Sequence, residues 1–276
     1  MAAWDRAVQS KVYTPDEGLV LGVLNVAARW GRPDLATKAL DVLPNLAVRP
    51  QEVHLVPLLE AYVTAGQIPD AVKVISSIRA AGMKPTMVTA EPIVSALGNV
   101  DLIDQAFYAL EDMHKAGNAV DIVAVNAIIE ASGRLGDLQR VRATQAAATD
   151  FNLAPDIDTF NIVLSACVTL KNRSLGDTIL SEMSSLSTTP NAMTYQLVIM
   201  LCLTQPTYED AFYYLEKMKA DGIKPAYNVY QALIRKCFAV EDKRWKLVKD
   251  EMEAVGYRVD EGTQSRLSRP GRFGDT

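Results

Sequence analysis

Apolar residues recur at helical spacing in short blocks along this chain, and the blocks themselves recur every 35 residues. Within 122–156, Val125, Ile128, Ile129 and Ser132 fall at i, i+3, i+4 and i+7, the stripe that one face of a helix presents. Gly136-Asp137 interrupts the stripe, and glycine there predicts a turn. A second amphipathic segment runs from Leu138 to about Asp150. Pro155 closes the block, because the residue before a proline is held out of the α region. The pattern therefore predicts two helices per block.

The spacing is visible in single columns. Pro15, Pro50, Pro85, Pro155, Pro190 and Pro225 keep it, with Val120 in the one missing place. Gly31, Gly66 and Gly136 keep it at the predicted turn, and Ala36, Ala71, Ala106, Val141, Gly176 and Ala211 keep it in the second helix. Small side chains there let the two helices of a hairpin approach closely. A fixed period of this length is the mark of a solenoid, in which each unit packs on its neighbours. The units are 17–51, 52–86, 87–121, 122–156, 157–191, 192–226 and a seventh, 227–260, one residue short. Turns are expected at Gly66-Gln67 and Asp101-Leu102, with looser matches at Lys171-Asn172 and Pro206. Residues 1–16 read as a half repeat, the second helix of an earlier unit or a cap, and 261–276 as a polar tail expected to be disordered.

Two further columns look like chemistry and read better as core. Cys167, Cys202 and Cys237 are also 35 apart. Helices pack about 8–10 Å apart, whereas a disulfide needs Cα atoms within about 4.4–6.8 Å. The three thiols are thus expected to be buried, reduced and free of metal. Met113, Met183 and Met218 share a slot near the end of the second helix and are expected to fill core.

Composition narrows the function. The formal charge is −5, which does not favour non-specific grip on a phosphate backbone. No run of 18 apolar residues exists, so no membrane span is expected. The first residues lack the apolar stretch of a secretory signal, and no transit peptide is visible. The two histidines, His54 and His114, occupy different slots of different units. No phosphate loop, nucleophile elbow or Cys/His metal spacing is present, so no enzyme, cofactor or small-molecule substrate is expected.

A 35-residue helical hairpin ending in Pro-Asp and followed by Phe-Asn before apolar residues resembles the pentatricopeptide repeat. The segments that carry the resemblance are Asp158 to Leu164, Ile122 to Ile129, and Glu209 to Pro225. The resemblance covers about 15–260. It implies an all-α, right-handed superhelical solenoid of 35-residue helix-turn-helix repeats. It also implies binding of single-stranded RNA, one base per repeat, read by the fifth and last residues of each unit. Carried over by position, Asn126 with Asp156 resembles the uracil-reading pair. Asn161 with Asn191 resembles the pyrimidine-reading pair, with cytosine preferred. An amide offers a donor and an acceptor to a base edge, and a neighbouring side chain can fix its orientation. The other fifth residues, Leu21, Val56, Glu91, Gln196 and Gln231, do not complete a family pair. Val123 and Met193 suit the stacking role at the second position. Both Asn126 and Asn161 are expected to lie outside the apolar seam. Phosphate contacts are expected from Arg29 and Arg134, which share a column, and from Arg244, Lys246 and Lys249 in the C-terminal basic cluster.

Two function classes follow. One is an RNA-binding adaptor in a mitochondrion or chloroplast, the mitochondrion being preferred, which assists RNA processing, stability or translation. The other is a protein scaffold within an organellar ribonucleoprotein assembly.

Overall fold

The computed structural model describes residues 15–259, and within them every regular element is helical. The expected half repeat at the N-terminus and the polar tail fall almost wholly outside the described residues. Two compact units are resolved, divided between Pro155 and Asp156.

The first unit contains α1 (Glu17–Arg29), α2 (Pro33–Leu40), a short 3-10 turn (Leu43–Leu46), α3 (Glu52–Thr64), α4 (Ile68–Ala80), α5 (Met87–Ala96), α6 (Val100–Lys115), α7 (Ile122–Arg134) and α8 (Leu138–Ala147). First helices pack on first helices, α1 on α3, α3 on α5 and α5 on α7, while α4 packs on α6 behind them and α2 and α8 pack on the first helices of their hairpins. The second unit contains α9 (Ile157–Thr169), α10 (Arg173–Ser185), α11 (Ala192–Leu203), α12 (Glu209–Ala220), α13 (Tyr227–Ala239) and α14 (Trp245–Ala254). Here α9 packs on α11 and α11 on α13, each paired with its own second helix.

The small-residue column lies where the pattern put it. Ala36, Ala71, Ala106, Val141 and Ala211 have no exposed surface, and Gly176 is buried. A β-carbon at Gly176 would collide with the Leu201 side chain of α11. Met113, Met183 and Met218 are core, as are the three cysteines. Full burial of residues such as Leu24, Ile75 and Phe160 contributes roughly 1.5–3 kcal/mol each.

Backbone handedness repeats as strictly as the side chains. Left-handed residues stand at Gly31, Gly66, Gly136, Lys171 and Glu241, all on one 35-residue series at the turn inside each hairpin. A second series, Ala47, Gly82, Gly117, Asn152, Ser187 and Gly222, closes the second helices. It ends at Gly256, one residue early, in the unit that is one residue short. The chain must reverse at both places, and the αL residue at a helix end does it.

Two places break the inner series. The turn expected at Asp101-Leu102 lies inside α6, because Asn99 caps that helix by accepting from the Leu102 amide at 3.0 Å. Helix α5 ends correspondingly early, at Ala96. At Pro206 the ring fixes φ near −65°, so the left-handed turn is unavailable. Instead α11 stops at Leu203 and α12 starts at Glu209.

Candidate nucleic-acid interface

The last residue of each repeat sits at the N-cap of the next first helix. Asp16, Asp121, Asp156 and Asn191 accept hydrogen bonds there from backbone amides of the first turn. Four amides at a helix start lack intrahelical partners, which explains the acid or amide in this slot without any ligand. Threonine completes the cap in several units. The Asp156 amide donates to Thr159 Oγ1 at 3.2 Å, and the Asn191 amide to Thr194 Oγ1 at 3.2 Å. In the first unit His54 has this role, accepting from the Gln51 amide through Nδ1 at 3.0 Å, and it has no exposed surface.

In the second unit this geometry joins the fifth and last slots. Thr194 Oγ1 donates to Asn161 Oδ1 at 2.7 Å, and Asn161 Nδ2 lies 3.4 Å from Asn191 Oδ1. Asn191 Oδ1 also accepts from the Thr194 amide at 3.0 Å. The pair is thus brought together, with Asn191 exposed and Asn161 only 8% exposed. Met193, the neighbouring second-slot residue, is half exposed at 50%. Thr194, which fastens Asn161, was not singled out in the sequence. Its signal was available, since Thr89, Thr159 and Thr194 fall on the same period.

The other expected pair divides differently. Asn126 lies in α7 of the first unit with no exposed surface, while Asp156 caps α9 in the second. Asn126 is therefore not outside the buried seam, contrary to the pattern-based expectation. Helix α7 packs against α4, α5, α6 and α8, so its polar residues Asn126 and Ser132 are covered along with its apolar ones. Asn161 departs from the same expectation to a lesser degree. Val123 is also buried, at 6% exposed. Its amide donates to Asp121, and Asp121 is itself buried against Arg79 of α4. The open second-slot residues of the first unit are instead Val53 and Val88.

Most of the expected phosphate contacts are held in ion pairs. Arg134 reaches Glu91 at 3.1 Å and Glu130 at 2.7 Å. Arg244 bonds Glu209 at 2.6 Å and 2.7 Å and Asp242 at 2.8 Å, and stacks over Phe212 at 4.4 Å. The Arg244 guanidinium holds the Asp242 carboxyl well below the usual range, at about 2. Lys249 pairs with Glu253 at 3.1 Å, and Lys246 lies over the Trp245 ring at 5.8 Å. Arg29 is exposed in a cleft it shares with Glu60 and Thr64. A phosphate at Arg134 or Arg244 would have to displace two carboxylates.

Fold and edge together define an all-helical repeat protein built from 35-residue hairpins with capped first helices. A family model described as a pentatricopeptide repeat-containing protein matches residues 17–148, and one described as a pentatricopeptide repeat domain matches 178–239, together well over half of the chain. The chain belongs to the pentatricopeptide repeat family. Similar solved structures include the pentatricopeptide repeat protein PPR10 in complex with an 18-nt psaJ RNA element, with a TM-score of 0.58 and 21% identity. That match covers 96% of this chain and 39% of the other. PPR10 from maize matches with a TM-score of 0.55 and 24% identity, covering 92% of this chain and 37% of that one. This chain thus spans about two fifths of the length of these proteins. No curated relative matches the sequence.

Proposed function

We propose that the chain binds single-stranded RNA along the first helices of its second unit, with Asn161 and Asn191 reading one pyrimidine. The observation that carries this reading is the Thr194–Asn161–Asn191 cluster. Thr194 and Asn191 occupy Asn161 Oδ1 and one Nδ2 hydrogen, so the Asn161 amide is oriented before any ligand arrives. Asn191 is exposed beside the exposed Met193, on which a base can stack, and its side-chain amide nitrogen makes no hydrogen bond among the described residues. The next fifth-slot residues of this unit, Gln196 and Gln231, are amides too. The RNA-bound state of the structurally similar PPR10 supports the same ligand class. The role that follows is an adaptor in a mitochondrion or chloroplast, holding a short strand during processing, stabilisation or translation. Any bond cleavage is supplied by a partner.

The test keeps the cap and changes the reader. Asn191→Asp preserves an N-cap acceptor and creates the pair that resembles the uracil-reading one. Fluorescence anisotropy on a panel of short RNAs differing at one base is expected to show preference moving from cytosine to uracil. Parent and variant binding every RNA alike, with parent affinity weaker than about 10 μM, would sink the base-reading proposal.

A further inference from the structure

The first-helix face of the first unit is chemically unlike that of the second. Its fifth-slot residues are Leu21, Val56 and Glu91, ahead of the buried Asn126, and none of the first three is an amide. Its second-slot valines stand open, Val53 at 52% and Val88 at 83% exposed. Each is followed four residues later by a proline inside the helix, Pro57 in α3 and Pro92 in α5. Proline has no N–H, so the Val53 and Val88 carbonyls lack their i+4 donors. Carboxylates add to them. Glu60 lines a cleft of about 650 Å³ with Asn25, Arg29, Val63, Thr64 and Pro92, bringing α1, α3 and α5 to one site. Glu52 meets Thr89 of α5, and Glu91 meets Arg134 of α7. Four glutamates, counting Glu130, face two arginines, and Arg134 already lies between Glu91 and Glu130.

We infer that this face docks a basic, amphipathic segment of a partner protein. The surface offers acceptors, negative charge and isolated apolar anchors. A lysine- or arginine-bearing helix supplies the matching donors, positive charge and apolar side chains. A phosphate backbone meets carboxylates here with few free cations to offset them. The inference is independent of the RNA reading, which concerns the second unit.

The probe is a fluorescein-labelled helical peptide of about 18 residues made of leucine and lysine on opposite faces. Its control is the same peptide with glutamate for lysine. Against the full chain, the lysine peptide is expected to bind and the glutamate peptide not to. Glu60→Lys and Val88→Asp are each expected to weaken binding about tenfold. Asp112→Lys, an exposed charge reversal on the second-helix layer in α6, is expected to leave it unchanged. Should Glu60→Lys unfold by circular dichroism, Glu60→Gln and Val88→Ser, at the 83% exposed valine, give the same comparison. The inference is overturned if the glutamate peptide binds equally, or if Asp112→Lys weakens binding as much as Glu60→Lys. It is overturned too if a short single-stranded RNA displaces the peptide and itself loses affinity on Val88→Asp, which would make this an RNA face.

Discussion

At the scale of single residues, the 35-residue period assigns jobs that isolated motifs would misassign. Cys167, Cys202 and Cys237 have no exposed surface, and burial pushes the Cys202 thiol up to about 11. Thiolate is the reactive form. All three are therefore expected to react with a thiol reagent far more slowly in the native chain than in urea. Rapid native labelling of all three would contradict that. The left-handed positions give a sharper test. A β-carbon on Gly66 meets nothing within 4 Å, so Gly66→Ala isolates the backbone cost of a positive φ. It is expected to destabilise by about 1 kcal/mol. Lys171 stands on the same series with φ 55°, and Lys171→Gly is expected to move the urea midpoint the other way. Equal midpoints for parent and both variants would mean that the turn tolerates either hand.

At the scale of elements, hairpins are held by close approach in the small-residue column and laced to their neighbours by ion pairs. Ala211 in α12 is fully buried in a hairpin with α11. Ala211→Leu is expected to overpack that contact and cost roughly 1–3 kcal/mol in a chemical melt. The lacing is clearest where Arg244 joins Glu209 of α12 to Asp242, which also accepts from Tyr208 at 2.6 Å. The folded-state value of Asp242 is depressed to about 2, first through its hydrogen bond from Arg244. A depressed carboxyl stabilises the fold above its unfolded value and loses that contribution as pH falls through its folded value. Asp242→Asn should therefore be less stable than the parent at pH 6, with the gap closing as pH approaches 2. Urea melts across that range check the sign, and a gap independent of pH would remove Asp242 from the account.

For the whole molecule, charge decides how RNA can be held. Arg134, Arg244 and Lys249 are engaged by carboxylates of the chain itself. Of the five residues expected at phosphate, this leaves Arg29 and Lys246 without a carboxylate partner among the described residues. For single strands the salt slope is about −0.7 per neutralised phosphate, so a slope no steeper than about −2 is expected. A much steeper slope in an anisotropy titration would mean that the internal pairs open for phosphate. Affinity at physiological salt should then depend on base contacts at the Asn161–Asn191 edge more than on backbone attraction.

The repeat length, the helix pairs, the buried small-residue, methionine and cysteine columns and the family were all legible in the sequence. Each depends on period, and a solenoid translates sequence period into position directly. The turn at Asp101-Leu102 misled because a cap two residues earlier, Asn99, competes for the helix start, and local propensity alone does not rank the two. Exposure was not legible. Asn126 and Asn161 occupy the same slot with the same side chain, yet one has no exposed surface and the other sits at an edge fastened by Thr194. Whether an arginine is free for phosphate was hidden for the same reason. Glu91 lies 43 residues from Arg134, and only the packing of α5 against α7 brings the two charges together. Period places a residue on a helix face, but burial and ion pairing depend on what the neighbouring repeat carries opposite it, and that is settled by tertiary contact.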